Sequence, residues 1–201
     1  MIRSSRRAAV VLGLVAAVAV TTGCASKVKA TRTQNPPPTE AYGAFGRIEV
    51  KPIVLAPAFA GDDANQRAMA KIQENLDKEL APHLAGWNKR ADNGRRLVLE
   101  PVIEEIRFIG VGARIWTGPL AGSSGVRMTL RAKDAATGKP VDNAEFYQRS
   151  SAGSGFALGV ADNLMLTRTA QLIAQYVVRN HAQAVGGPTG ATEELVAPAA
   201  K

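Results

Sequence analysis

Cysteine occurs once in these 201 residues, at Cys24, and histidine twice, at His83 and His181. A single thiol excludes an internal disulfide framework. Two histidines on separate helical patterns fall short of the three or four convergent ligands that a zinc site needs, so no metal is expected. Serine catalysis of the nucleophile-elbow type wants Gly-x-Ser-x-Gly, and none of Ser123, Ser124 and Ser154 has glycines at that spacing. Gly110-Val111-Gly112 begins like a dinucleotide loop, but Ile115 stands where the third glycine belongs and no helix pattern follows. The run Gly118 to Ser124 lacks the lysine of a phosphate-binding loop. No cofactor is implied.

Long apolar runs are also scarce: Ala8 to Val20 is unbroken but too short for a bilayer core, which takes about 20 helical residues. With Arg3, Arg6 and Arg7 before it and the small residues Thr21 to Gly23 after it, the run is the apolar region of a secretory signal over residues 1–23. Thr22-Gly23-Cys24 resembles a bacterial lipobox, in which the cysteine is acylated and becomes the first mature residue. Thr21 stands at the usual aliphatic position, with Val20 one step further back. The alternative is an ordinary signal cut near Ala25, leaving a free thiol. Several acyl chains on Cys24 would make membrane attachment stable and would remove the thiol from nucleophilic, ligand or disulfide roles. Ala25 after the cysteine resembles the outer-membrane sorting signal, where Asp favours inner-membrane retention.

The formal charge is +8; without the three signal arginines, 22 basic side chains face 17 acidic ones, a net +5. An exported chain needs no nucleic acid to account for that surplus. Lys27, Lys29 and Arg32 follow the anchor, either as contacts to anionic headgroups or as a solvated basic tether.

Residues 24–45 are polar and carry Pro36-Pro37-Pro38, which reads as the lipidated N-terminus and a flexible tether. A single domain is expected over 46–182 and a disordered Gly/Pro/Ala tail over 183–201. Ile48 and Val50 alternate with polar residues, giving a strand ended or kinked by Pro52 and Pro57. Asp63 caps a helix whose buried face is Met69, Ile72, Gln73, Leu76 and Leu80, stopping near Pro82 to Gly86. Leu97 to Phe108 predicts a long strand with Pro101 at a bulge or an edge. Val126, Met128, Leu130 and Ala132 alternate with polar residues; Asp134 to Lys139 is a turn and Val141 to Arg149 the returning strand. The last helix, capped by Asp162 or Asn163, buries Met165, Thr169, Leu172, Ile173, Tyr176 and Val177. The order β-α-β-β-β-α predicts an α+β fold, a mostly antiparallel sheet with helices covering one face.

Glu104 and Glu105 are adjacent, and on a regular strand they point to opposite faces, so they form an acid/base pair only if a bulge intervenes. The residues singled out for binding lie in the segment 110–125. Its five glycines free the backbone and admit a close surface, and Trp116 is a large amphipathic anchor. Arg114, Trp116, Gly118 and Gly122 are the candidate partner contacts; the competing reading folds Trp116 back onto the sheet edge as a core filler.

The run from Glu105 to Val141, with Gly110-Val111-Gly112-Ala113-Arg114, Trp116, the alternating strand Val126 to Lys133 and the Asp134-to-Val141 turn, resembles a family of uncharacterised bacterial lipoproteins. These carry the domain of unknown function numbered 4410, and the resemblance spans most of residues 47 to 181. More distantly, Gly110 to Arg114, the following strand and its Thr-Gly turn are similar to the curli secretion-channel lipoproteins, where this region adjoins a membrane-spanning hairpin. Two spanning strands of about 9 to 11 residues each do not fit between Arg114 and Gly125, so the likeness implies the periplasmic domain and not a pore. The expectation is a non-enzymatic interaction or scaffold module of the cell envelope, anchored through Cys24 at the periplasmic face of the outer membrane. Its partner is an envelope protein or, as the alternative, further copies of itself in an envelope or secretion complex.

Overall fold

A computed structural model describes residues 28–109, 123–150 and 160–198. The chain runs β1 (Gln34–Asn35), β2 (Arg47–Val50), β3 (Val54–Leu55), α1 (Asp63–Trp87), β4 (Arg96–Arg107), β5 (Gly125–Asp134), β6 (Pro140–Arg149), α2 (Val160–Ala182) and β7 (Gly187–Pro188). The main sheet has the order β2-β4-β5-β6, with β3 also on β4; β1 and β7 form a separate two-stranded clip. β2 and β3 pair with β4 in parallel, and β4, β5 and β6 form an antiparallel meander. The class is α+β, as the element order implies.

One sheet face supplies Leu97, Leu99, Ile103, Val126, Met128, Leu130, Ala144 and Phe146 to a core closed by Ile72, Leu76 and Leu80 of α1 and Met165, Ile173 and Val177 of α2. The two helices pack against each other over that face. Burial of this apolar surface is the main stabilising term, about 1.5–3 kcal/mol for each large side chain removed from water.

Prolines mark two departures from expectation. Pro101 lies inside β4, a strand paired on both sides, yet no residue of β2 or β3 is opposite it: β2 pairing ends at Leu99 and β3 pairing starts at Val102. The missing N–H therefore falls in the gap between two short strands. The bulge itself lies between Ile103 and Glu105. Pro82 does not stop α1, which continues to Trp87. It is exposed, so the carbonyl it leaves unpaired can bond water, and Asn88 N–H closes the end on Leu84 C=O at 2.9 Å. The cap of α1 is Asp62, one residue before the expected Asp63; its carboxylate accepts from the N–H groups of Ala64 and Asn65. α2 begins at Val160, two residues before the first expected cap.

The larger correction concerns the termini. Residues 28–45 and 183–198 are not loose extensions of the domain but two straps bound to β6 and to each other. Ala30 N–H donates to Leu195 C=O and Ala197 N–H to Ala30 C=O. Tyr147 N–H of β6 donates to Thr189 C=O, and Thr189 N–H donates to Thr33 C=O. Val28, Ala30 and Tyr147 form a second apolar cluster with Leu195 and Val196 packed on it. Tyr42 and Phe45 are fully buried in the main core. Gly186 sits at φ 68 with the backbone of Asn35 and Pro36 so close that no Cβ would fit. Single anchors and backbone pairing hold these straps, without the periodicity that marks a helix or strand.

Candidate functional site

Cys24, Arg114, Trp116, Gly118 and Gly122 all lie outside the described residues. Their attachment points do not. Segment 110–122 joins β4 to β5, and segment 151–159, which holds three more glycines, joins β6 to α2. Ser124 ties the roots together: its hydroxyl accepts from Ile109 N–H at 3.0 Å and its carbonyl from Ser150 N–H at 3.0 Å. Gly125, in register with Arg107 and Arg149, touches Val28; a Cβ built there would lie 3.1 Å from the Cβ of Val28. Tyr147 Oη donates to Val28 C=O at 3.1 Å. Both glycine-rich connections and the chain leading back to Cys24 thus leave from one end of the sheet.

The sheet face away from the helices carries a charge ladder. Glu100 pairs with Lys133 at 2.6 Å, Glu104 with Arg131 at 2.7 Å and Glu105 with Arg127 at 3.7 Å. The bulge after Ile103 puts both glutamates on this one face, the condition under which they could act together. Each is instead engaged by its own arginine across the strand pair, an arrangement that fixes register and leaves neither as a free base. Glu145 on β6 is buried and accepts from Thr31 N–H at 2.7 Å and Thr31 Oγ1 at 2.8 Å, which fastens the N-terminal strap.

On the helix side, Asp142 at the start of β6 accepts from Tyr42 Oη at 2.6 Å and Tyr176 Oη at 2.8 Å on the same carboxylate oxygen. Burial raises the Asp142 pKa above the ordinary carboxylate value, opposed by these hydrogen bonds. Burial, together with the Asp142 charge, raises both phenols as well. The cluster joins strap, sheet and α2, and sequence reading passed over it. The signal was available: Asp142 occupies a core-facing position of an otherwise apolar strand face, in line with Ala144 and Phe146. The cavity beside Tyr176, lined by Leu172, Gln175, Arg179 and Pro188, measures about 40 Å³. That holds a water molecule, far below the several hundred Å³ of a metabolite pocket.

The C-terminal ends of both helices meet at the opposite end of the sheet from Val28. His181 stacks on Trp87 with ring centroids 4.0 Å apart and planes within 8°, and His83 lies 5.4 Å from the same indole. Arg90 contacts His181 Nε2 at 3.2 Å. Desolvation, then Arg90, then His83 lower the His181 pKa below its usual value, so the ring is held neutral with Nε2 as acceptor. The two histidines kept apart in sequence are therefore brought to one indole. Among the described residues no group of three or more His, Cys, Asp or Glu side chains gathers as metal ligands, and no helix is long and apolar enough to cross a membrane.

The chain matches no protein-family model and no curated protein. Among solved structures it is similar to the PelC dodecamer from Paraburkholderia phytofirmans, with 20% identity over 71% of this chain and 94% of that one, TM-score 0.37. The hypothetical protein CT253 from Chlamydia trachomatis is 14% identical over 67% of this chain and 99% of its own, TM-score 0.37. Protein XCC0632 from Xanthomonas campestris, of the family DUF330, is 11% identical over 75% and 93%, TM-score 0.35. All three superpose loosely on the chain.

Proposed function

We propose that this chain is a lipid-anchored, non-catalytic interaction module of a bacterial cell envelope, acylated at Cys24 and held at the periplasmic face of the outer membrane. The observation that carries the reading is the seat of Val28 on Gly125 and Tyr147. It joins the anchor, the segment 110–122 and the segment 151–159 at one end of a strapped sheet. Arg114, Trp116, Gly118 and Gly122 are the contact residues of this reading, and the partner is another envelope component met at the membrane surface. The motifs between Glu105 and Val141 supply the affinity to uncharacterised envelope lipoproteins. The buried polar groups support a scaffold role, since Asp142, Glu145 and Asn35 each spend their hydrogen bonds fastening straps to the sheet.

The test is a photo-crosslinking residue placed at position 116 of the full chain in intact bacterial cells, with captured species identified by mass spectrometry. One dominant envelope protein is the expected result and names the pathway. Capture of further copies of this chain replaces the adaptor reading with self-assembly, and a clean lane at several loop positions overturns the interaction module.

A further inference from the structure

Four large apolar side chains are exposed among the described residues: Val54, Val160, Leu164 and Val185. Val160 and Leu164, 61% and 45% exposed, stand four residues apart and share one face of the first turns of α2. Their height along the sheet follows from Tyr176, which is bonded to Asp142. Val160 lies sixteen residues before Tyr176, about 24 Å along a helix, and Arg149 lies seven residues beyond Asp142, about 23 Å along a strand. Val160 is therefore level with Arg149, the register partner of Gly125, on which Val28 is seated.

Cys24 precedes Val28 by four residues, a reach of at most about 14 Å. The opposite end, where His181 meets Trp87, is about 30 Å away along α2. A bilayer holding an acylated Cys24 must then lie at the Val160 end. Lys29 and Arg149 are exposed there, with no ion-pair partner among the described residues, and suit anionic headgroups.

Resting on the reading of Cys24 as the lipidated residue, we propose that this end of the domain lies on the bilayer, with Val160 and Leu164 at the lipid interface and Lys29 and Arg149 against anionic headgroups. The domain is thus oriented with its long axis along the surface normal and its His181–Trp87 end pointing into the periplasm. The anchor fixes which end is near, and the apolar pair fixes the docking.

Two single-cysteine versions of the acylated full chain, Leu164→Cys and Val185→Cys, carry an environment-sensitive fluorophore; Cys24, once acylated, does not react. Each is reconstituted on vesicles of about one third phosphatidylglycerol in phosphatidylcholine, with and without spin-labelled lipid, and its intact mass is recorded. The expected result is a blue shift and at least about twofold quenching at position 164, and neither at 185. Equal signals at the two positions on acylated, vesicle-bound protein overturn the docking while leaving the anchor intact. A mass lacking acyl chains overturns the anchor and the docking with it. Shielding of position 164 that grows with protein concentration in the absence of vesicles assigns the patch to a second copy and overturns the lipid contact.

Discussion

The side chain of Asn35 pairs with the backbone of Glu145 as a strand would. Its amide donates to Glu145 C=O at 2.8 Å and accepts from Glu145 N–H at 2.8 Å. Asn88 does the same at the other margin of the sheet, accepting from Ile48 N–H at 2.8 Å and donating to Ile48 C=O at 2.9 Å. An unpaired edge is a template for another strand, and here one primary amide closes each edge at its midpoint.

Asn35→Ala removes both bonds from a buried site and is expected to destabilise the fold by about 2 kcal/mol. Because it also opens β6, the variant should scatter light at concentrations where the parent does not. Urea unfolding with static light scattering reads both; an unchanged midpoint would mean that Thr189 and Thr39, whose N–H donates to Val141 C=O at 2.9 Å, hold the edge without Asn35.

Replacing Asp142 separates charge from hydrogen bonding. Asp142→Asn keeps an acceptor for the phenols of Tyr42 and Tyr176 and should be tolerated at neutral pH. Asp142→Ala leaves both without one and should cost about 2 kcal/mol or more. Since the folded-state pKa is raised, the native carboxyl gains stability as it protonates. The contribution is complete below the unfolded value and lost as pH rises through the folded one. The parent should therefore gain on Asp142→Asn as pH falls from about 7 to about 4, measured by denaturant midpoints.

His181 works in the opposite direction. Its folded pKa is lowered, so its contribution is present above the unfolded value and is lost as pH falls through the folded one. Between about pH 7.5 and 5.5 the parent should lose stability that a His181→Gln variant does not. In a Trp116→Phe background, the fluorescence of Trp87 should titrate with a midpoint below the ordinary histidine value, because the protonated ring stacked on it quenches.

Deleting residues 185–201 tests the C-terminal strap. The cut removes the Thr189 bonds to Tyr147 and Thr33 and the packing of Leu195 and Val196, a loss of at least about 2 kcal/mol. Limited proteolysis should then cleave before residue 46 much faster than in the intact chain.

Trp116→Ala should leave the unfolding midpoint within about 0.5 kcal/mol, as for a surface position, while abolishing the crosslinked species at a neighbouring loop site. A cooperative loss of structure instead would assign the indole to the core.

The helices and the meander were legible because Ile72, Leu76 and Leu80 recur at helical spacing and Val126 to Ala132 alternate, each pattern recording one buried face. The straps were not. Asn35, Thr189 and Tyr42 act one at a time, through bonds to partners far along the chain, and such contacts leave no local period. Proline reads locally too, Pro82 as a helix stop and Pro101 as a bulge or an edge, whereas the positions that tolerate them depend on solvent at one and a gap between β2 and β3 at the other. The histidine pair was invisible for a like reason, since only the antiparallel return of α2 along the sheet brings His181 to Trp87.

The contact of Ala30 with Val196 also sets an order in time. Val28 and Ala30 precede every strand of the main sheet in the chain, and Leu195 and Val196, which seal them, follow the last α-helix. Loop closure over so long a separation comes late. The first strap therefore stays unfastened until residues 189–197 reach it, and the domain closes on a contact that the sheet and helices do not need in order to form.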